Sequence, residues 1–411
     1  MAKRIYILLV CCVMGADCCG AGDANSIGKV SAGGRNDINE AVAGNSDFAF
    51  DLYGKLKDKE PNSNLFFSPY SISTALAIVY AGAHGETEKQ METALHFTLP
   101  NQNLYSAFGA LQKQLIQEDN SRGYRLLLAN ALWLQKGEPV LEEFLNLTKN
   151  YYGAGITLLD FVNETEKSRQ TINSWVEEKT KEKIKELIPP NGVNPETVLV
   201  LTNAIYFKGE WKNKFEKQFT KRTDFHISAK DKVEVDMMLT ENMYKGYQDK
   251  KIQIVELPYK NDEISMVVIL PREIEGITEL EKTLTAENLN SLLSKMRTGQ
   301  IEVYLPKFKM AWGTFSLNKA LIDLGMPDAF DKKKANFSGI NGKGGIWISN
   351  VFHKAFIEVN EEGTEAAAGT AVVLTKGLYM DFRADHPFIF IIKDNRTGSI
   401  LFMGRVMKPA E

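Results

Sequence analysis

Side chains able to act as nucleophiles, bases or metal ligands are few in this chain and poorly placed for catalysis. The five histidines are His84, His96, His226, His353 and His386. None lies in an HExxH spacing, which would put two imidazoles on one helix face. No GxSxG elbow presents a serine and no Walker loop cradles a phosphate. Gly342-Lys343-Gly344-Gly345 is glycine-rich but wrongly spaced, and reads as a turn. Cys11, Cys12, Cys18 and Cys19 are the only cysteines, so the rest of the chain has no thiol nucleophile and no Cys/His metal spacing. Neither an enzyme nor a metal or cofactor protein is expected. The chemistry on offer is conformational, and it lies at Glu361-Glu362-Gly363-Thr364-Glu365-Ala366-Ala367-Ala368-Gly369-Thr370. Such small residues can lie in solvent or enter a crowded sheet without clashing. In an extended strand, alternate side chains face opposite sides. One set is Thr364, Ala366, Ala368, Thr370, Val372 and Leu374, uncharged, small at first and then apolar, as a buried face requires. The other set carries Glu365, which can point to solvent. The blander alternative is an alanine-rich linker or short helix, against which Gly363 and Gly369 count.

The elements that would position this segment mix helical and strand periods. Phe48, Leu52 and Leu56 recur every fourth residue, with Ser46 or Asp47 placed to cap the start. Ser71 to Tyr80 and Glu86 to Phe97 also read as helices. Ile172, Trp175, Val176 and Ile184 share a face of a long surface helix expected between Asn163 and Leu187, ended by Pro189-Pro190. Strand-like runs are 126–135, 197–207, 252–259, 264–270, 301–305, 346–359, 387–392 and 400–406. Leading helices followed by long strands imply an α+β fold with large, mostly antiparallel sheets.

Lys3-Arg4, the apolar run Ile5 to Met14 and the small residues after it describe a secretory signal peptide over 1–21. The run is too short to span a membrane. A buried N-terminal helix, or a lipid-modified cysteine near Cys18, are the alternatives to simple cleavage. Residues 22–40 lack an apolar period and read as a flexible leader, followed by one domain over 41–411. The net charge of −3 gives no case for nucleic acid, and an apolar fraction of 44% suffices for a sizeable core.

Several further stretches carry a family resemblance. Residues 361–370 together with Phe382-Arg383-Ala384-Asp385-His386-Pro387-Phe388-Ile389-Phe390 resemble the loop hinge and C-terminal signature of the serpins. Asn64-Leu65-Phe66-Phe67-Ser68-Pro69-Tyr70-Ser71-Ile72-Ser73 resembles the family's second helix and its approach. Leu201-Thr202-Asn203-Ala204-Ile205-Tyr206-Phe207-Lys208-Gly209-Glu210-Trp211 resembles the central strand of its main sheet. Val351-Phe352-His353-Lys354 and Asp394-Asn395-Arg396-Thr397-Gly398-Ser399 resemble the next strand and the last hairpin turn. The resemblance covers nearly the whole chain. It implies the serpin fold: one domain with three β-sheets, eight or nine helices and an exposed reactive-centre loop at about 361–383. It also implies that Ser68, Ser71, Asn203 and His353 meet beneath the main sheet where strands part, with Trp211 near the top.

The family's inhibitors are suicide substrates. A protease cleaves the loop, the loop inserts into the sheet, and the covalently acylated protease is distorted. About fourteen residues entering a sheet, at about 1 kcal/mol net per hydrogen bond, would release on the order of 10–20 kcal/mol. A protease domain is stable by about 5–15 kcal/mol. The family count from Glu361 puts the cleaved residue at Gly377, a poor anchor, and one residue earlier gives Lys376-Gly377, suited to trypsin-like enzymes. Leu374 and Leu378 are the alternatives and would suit elastase-like or chymotrypsin-like enzymes. The expected partner is a secreted serine protease, or a papain-like cysteine protease, met outside the cell or in a bacterial envelope. The inhibitor itself would be a monomer, prone to loop-sheet polymerisation. A non-inhibitory carrier or chaperone-like protein is the alternative from another class, and the small residues 364–370 argue against it.

Overall fold

The computed structural model describes residues 34–116, 123–153, 155–313, 316–362 and 378–409. The expected signal peptide and the loop residues from Gly363 to Gly377 lie outside them. The described residues fall in one compact unit, Ala32–Glu411. In chain order the first elements are α1 Arg35–Lys59, β1 Leu65–Phe67, α2 Pro69–Tyr80, α3 Gly85–Ala94, α4 Asn101–Leu115, β2 Tyr124–Gln135, α5 Glu142–Leu147 and β3 Ile156–Leu159. Then come α6 Thr165–Lys179, β4 Leu199–Gly209, β5 Lys221–His226, β6 Lys232–Gln248, β7 Ile252–Pro258, β8 Ile264–Pro271, α7 Ile277–Thr283 and α8 Ala286–Lys295. The last are β9 Arg297–Pro306, β10 Phe308–Trp312, α9 Asn318–Asp323, α10 Ser338–Asn341, β11 Ile348–Val359, β12 Leu378–Arg383, β13 Phe388–Asp394 and β14 Ile400–Val406. No helix among the described residues is long and apolar enough to cross a membrane.

The α+β class holds, and among the described residues the strands join into two sheets where the resemblance implied three. A nine-stranded sheet runs β1-β14-β13-β8-β7-β6-β9-β12, with β5 also on β6. A five-stranded sheet runs β10-β11-β4-β2-β3. The larger one is continuous because β6 pairs with β9 over Met237–Gly246 and with β7 over Lys245–Gln248. One long strand thereby stitches two blades together. The described residues form ten α-helices, slightly more than expected; α5, α9 and α10 are too short to show a period.

Helix boundaries differ from expectation at two places. α1 begins at Arg35, so residues 35–40 of the expected leader are helical, with Ile38, Ala41, Val42 and Asn45 extending the buried face. Ser46 is therefore no cap: its hydroxyl donates to the Val42 carbonyl at 2.8 Å, inside the helix. α6 stops at Lys179, well short of Leu187, because Lys181 and Glu182 take left-handed φ of 51° and 60°. The apolar face is kept without the helix. Ile172, Val176, Ile184 and Leu187 pack with Trp133 and Phe352 on the five-stranded sheet. α2 is buried at every position and packs against β14 of one sheet and β4 of the other.

Candidate functional site: a parallel seam and the helix cap beneath it

The five-stranded sheet has an unusual middle. β4 pairs antiparallel with β2 on one side but parallel with β11 on the other, in register from Val200–Asn350 to Phe207–Ile357, with a one-residue register shift after the Leu199–Ile348 pair. Parallel ladders are slightly the weaker kind per residue. The seam between β4 and β11 is also where the expected cluster lies.

Ser68 starts the site because Pro69 cannot donate a backbone hydrogen bond and suits the first helical turn. The Ser68 hydroxyl caps α2 by accepting from the Ser71 N–H at 3.1 Å. It also donates to the Leu401 carbonyl on β14 at 2.6 Å, fixing the helix start to the larger sheet. The Ser68 backbone N–H points to His353 Nε2 at 3.3 Å. Since Nε2 accepts, Nδ1 must carry the proton, and it donates to Asn203 Oδ1. Asn203 Nδ2 donates in turn to the Ser71 carbonyl at 2.8 Å, and it also contacts the Ser71 hydroxyl and Asn130 Oδ1. His353 and Asn203 face each other in register across the seam. Ser68, Ser71, Asn203 and His353 are each wholly buried. Burial disfavours the imidazolium and pushes the His353 pKa down from 6.5 to about 3, so the ring is neutral at pH 7.

Two members of this site carry no place in the sequence reading. Asn130, opposite Asn203 on β2, completes the network. Its signal was a lone amide in the otherwise apolar run Leu126–Leu134. Gly313, at φ 104°, brings the chain so close to β11 that a Cβ there would sit 2.1 Å from the His353 carbonyl oxygen. Only glycine fits both the angle and the space.

Trp211 stands apart from this cluster, beyond the C-terminal end of β4. Its ring stacks on Tyr259, with centroids 4.4 Å apart and planes 10° from parallel. The indole N–H donates to the Asn360 carbonyl at 2.9 Å, just past the end of β11. Glu361 follows, buried: its carboxylate accepts from the Thr220 hydroxyl at 2.9 Å and pairs with Lys307 at 3.3 Å. Burial alone would raise its pKa, yet these hydrogen bonds and Lys307 hold it below the ordinary value. Glu362 pairs with Lys217. The structure thus places Trp211, Glu361 and Glu362 together at one end of the seam, and the Ser68 cluster at its middle. Leu378 opens β12, which runs parallel to β9.

A two-sheet α+β frame with a parallel seam over a capped helix defines a class, and comparison with known proteins identifies it. Residues 43–409 match the family model described as Serpin (serine protease inhibitor). An uncharacterized serpin-like protein of Methanosarcina acetivorans is 42% identical over 376 residues, covering 90% of this chain and 86% of that protein. The leukocyte elastase inhibitor of Homo sapiens is 42% identical over 385 residues, covering 90% of this chain and all of the other. Among solved structures, uncleaved ovalbumin superposes with a TM-score of 0.83 at 32% identity, covering 90% of this chain and 100% of that one. Human thyroxine-binding globulin gives 0.82 at 31% identity, covering 91% and 100%. The chain belongs to the serpin family.

Proposed function

We propose that this serpin is a secreted protease inhibitor that acts as a suicide substrate, with Lys376-Gly377 as the cleaved bond and a trypsin-like serine protease as the target. The observation that carries this reading is the direction of the seam. β4 and β11 run parallel with no strand between them, and the segment 363–377 leaves from the C-terminal end of β11. A strand turning back from there would run antiparallel to both neighbours. Insertion therefore exchanges one parallel ladder for two antiparallel ones, the better-paired kind. The uninserted form is then a kinetically held state. The Ser68–Asn203–His353 network holds the middle of the seam, and exchange of its partners accompanies opening. Secretion is supported by the N-terminal Lys3-Arg4, the apolar run Ile5 to Met14 and the small residues after it. The identity to proteins named leukocyte elastase inhibitor supports testing Leu374 and Leu378 beside Lys376.

Intact mass measurement under denaturing conditions, after mixing the mature protein with trypsin, tests the proposal. A covalent adduct with release of Gly377–Glu411 is the expected result. Cleavage without an adduct by trypsin, elastase and chymotrypsin alike would overturn inhibition. Thr364→Arg places a charge on the set of side chains that must face the core, so this variant should be cleaved as a plain substrate with the adduct lost.

A further inference from the structure

Away from the seam, the nine-stranded sheet contains a cleft of about 410 Å³. It exists because β6 and β7 pair only over Lys245–Gln248 and then diverge, β6 staying on β9 while β7 stays on β8. The volume falls in the roughly 300–1,000 Å³ range of small-molecule sites. At its base Glu256 is 8% exposed and pairs with two ammonium groups, Lys393 at 2.9 Å and Lys245 at 3.5 Å. Lys393 is further tied to Asn395 Oδ1 at 2.6 Å and is itself mostly buried. A third cation at the rim, Lys212, pairs with Asp262 at 2.5 Å. Three ammonium groups therefore face two carboxylates, which leaves one positive charge uncompensated. The arm that can leave Glu256 is Lys245, whose side chain is 63% exposed and whose contact is the longer. Met243, Tyr244 and Pro258 supply apolar wall beside these charges, and Met243 is an exposed hydrophobic residue.

We propose that this cleft is a binding site for a small amphipathic monoanion, an aromatic or aliphatic acid whose charge engages Lys245 and Lys212 while its apolar body lies on Met243 and Pro258. The Lys393–Glu256 pair stays in place as the floor. One wall continues into the seam's upper end. The Lys212 N–H donates to the Pro258 carbonyl at 3.0 Å, and the preceding residue, Trp211, holds Asn360.

The probe is 1-anilinonaphthalene-8-sulfonate, titrated into the full-length mature protein at low salt and followed by fluorescence and calorimetry. One-to-one binding is expected, weakened at least about tenfold in Lys212→Ala/Lys245→Ala, whose altered residues are half-exposed and leave folding intact. Glu256→Gln frees Lys393 and should tighten binding several-fold, a change that a purely structural role for Glu256 would not produce. The uncharged analogue N-phenyl-1-naphthylamine should bind at least about tenfold more weakly. Equal affinity of wild type and the double lysine variant, equal affinity of the neutral analogue, or no binding up to about 1 mM probe would each overturn the proposal.

Discussion

Midway along the β4–β11 seam, Ser68, Ser71, Asn130, Asn203 and His353 share one uncharged hydrogen-bond network under the sheet. At the C-terminal end of the same seam, an indole holds the Asn360 carbonyl, and a hydroxyl and two lysines hold the carboxylates of Glu361 and Glu362. Ser68, Ser71, Asn203 and His353 are wholly buried and uncharged, with Asn130 at the half-buried edge, so salt has no charge to screen here and water reaches only that edge. The end is charged and partly open: the Lys217–Glu362 pair is exposed, weak and screened, whereas the Glu361 carboxylate is buried against Lys307. The contrast teaches a division of labour. The middle resists opening by the cost of unpaired buried groups, whereas the end can release residue by residue in the order in which a strand would enter.

The sharpest way to break this comparison is Asn203→Ala. It strands the His353 Nδ1–H and leaves Ser71 and Asn130 without their shared donor. At about 1–3 kcal/mol per orphaned buried group, a loss of roughly 3–5 kcal/mol is expected in urea unfolding. A loss below about 1 kcal/mol would mean the network is not what holds the middle.

Acid should act on the middle next. The unfolded chain binds a proton on His353 near pH 6.5, while the native ring stays neutral until about pH 3. Because the native pKa is depressed, the native state is unaffected above pH 6.5 and is destabilised as pH falls below it. The slope is about 1.4 kcal/mol per pH unit. Denaturant midpoints between pH 7.5 and 5.5 measure it, and His353→Gln should flatten that part of the profile.

A smaller effect is expected from Trp211→Phe, which keeps an aromatic ring on Tyr259 but loses the bond to the Asn360 carbonyl. About 1–2 kcal/mol should be lost, and if insertion follows cleavage, it should begin faster in stopped-flow fluorescence. Least of all, Lys217→Ala should leave unfolding midpoints unchanged within error, since its ion pair with Glu362 is exposed. Glu361→Gln should do more than Lys217→Ala, and half-molar salt should narrow the gap between them. Equal effects of the two variants would erase the distinction between the buried and the exposed carboxylate.

Much of the frame was readable from local pattern. All eight strand runs named from the sequence overlap strands of the structure, because a buried strand needs a run of apolar residues wherever its partners lie. β6 escaped notice: in KVEVDMMLTENMYKGYQ the buried positions change parity along the strand as its partners change. The end of α6 was missed because left-handed Lys181 and Glu182 carry no sequence mark. Ser68, Asn203 and His353 stood out only through the family resemblance, and Asn130 not at all.

By itself the sequence determined the class, the absence of catalytic and metal-ligand spacings, and the small uncharged face of residues 364–374. These are properties of residue type and period, which travel with the chain. Tertiary structure alone decided that β4 and β11 run parallel with nothing between them. It also decided that His353 is neutral with Nδ1 protonated, that Glu361 meets Lys307, and that diverging strands leave three lysines lining one cleft with Glu256 and Asp262. Each depends on pairing between residues far apart in sequence, where strand direction, burial and distance set the energy and no local pattern records the partner.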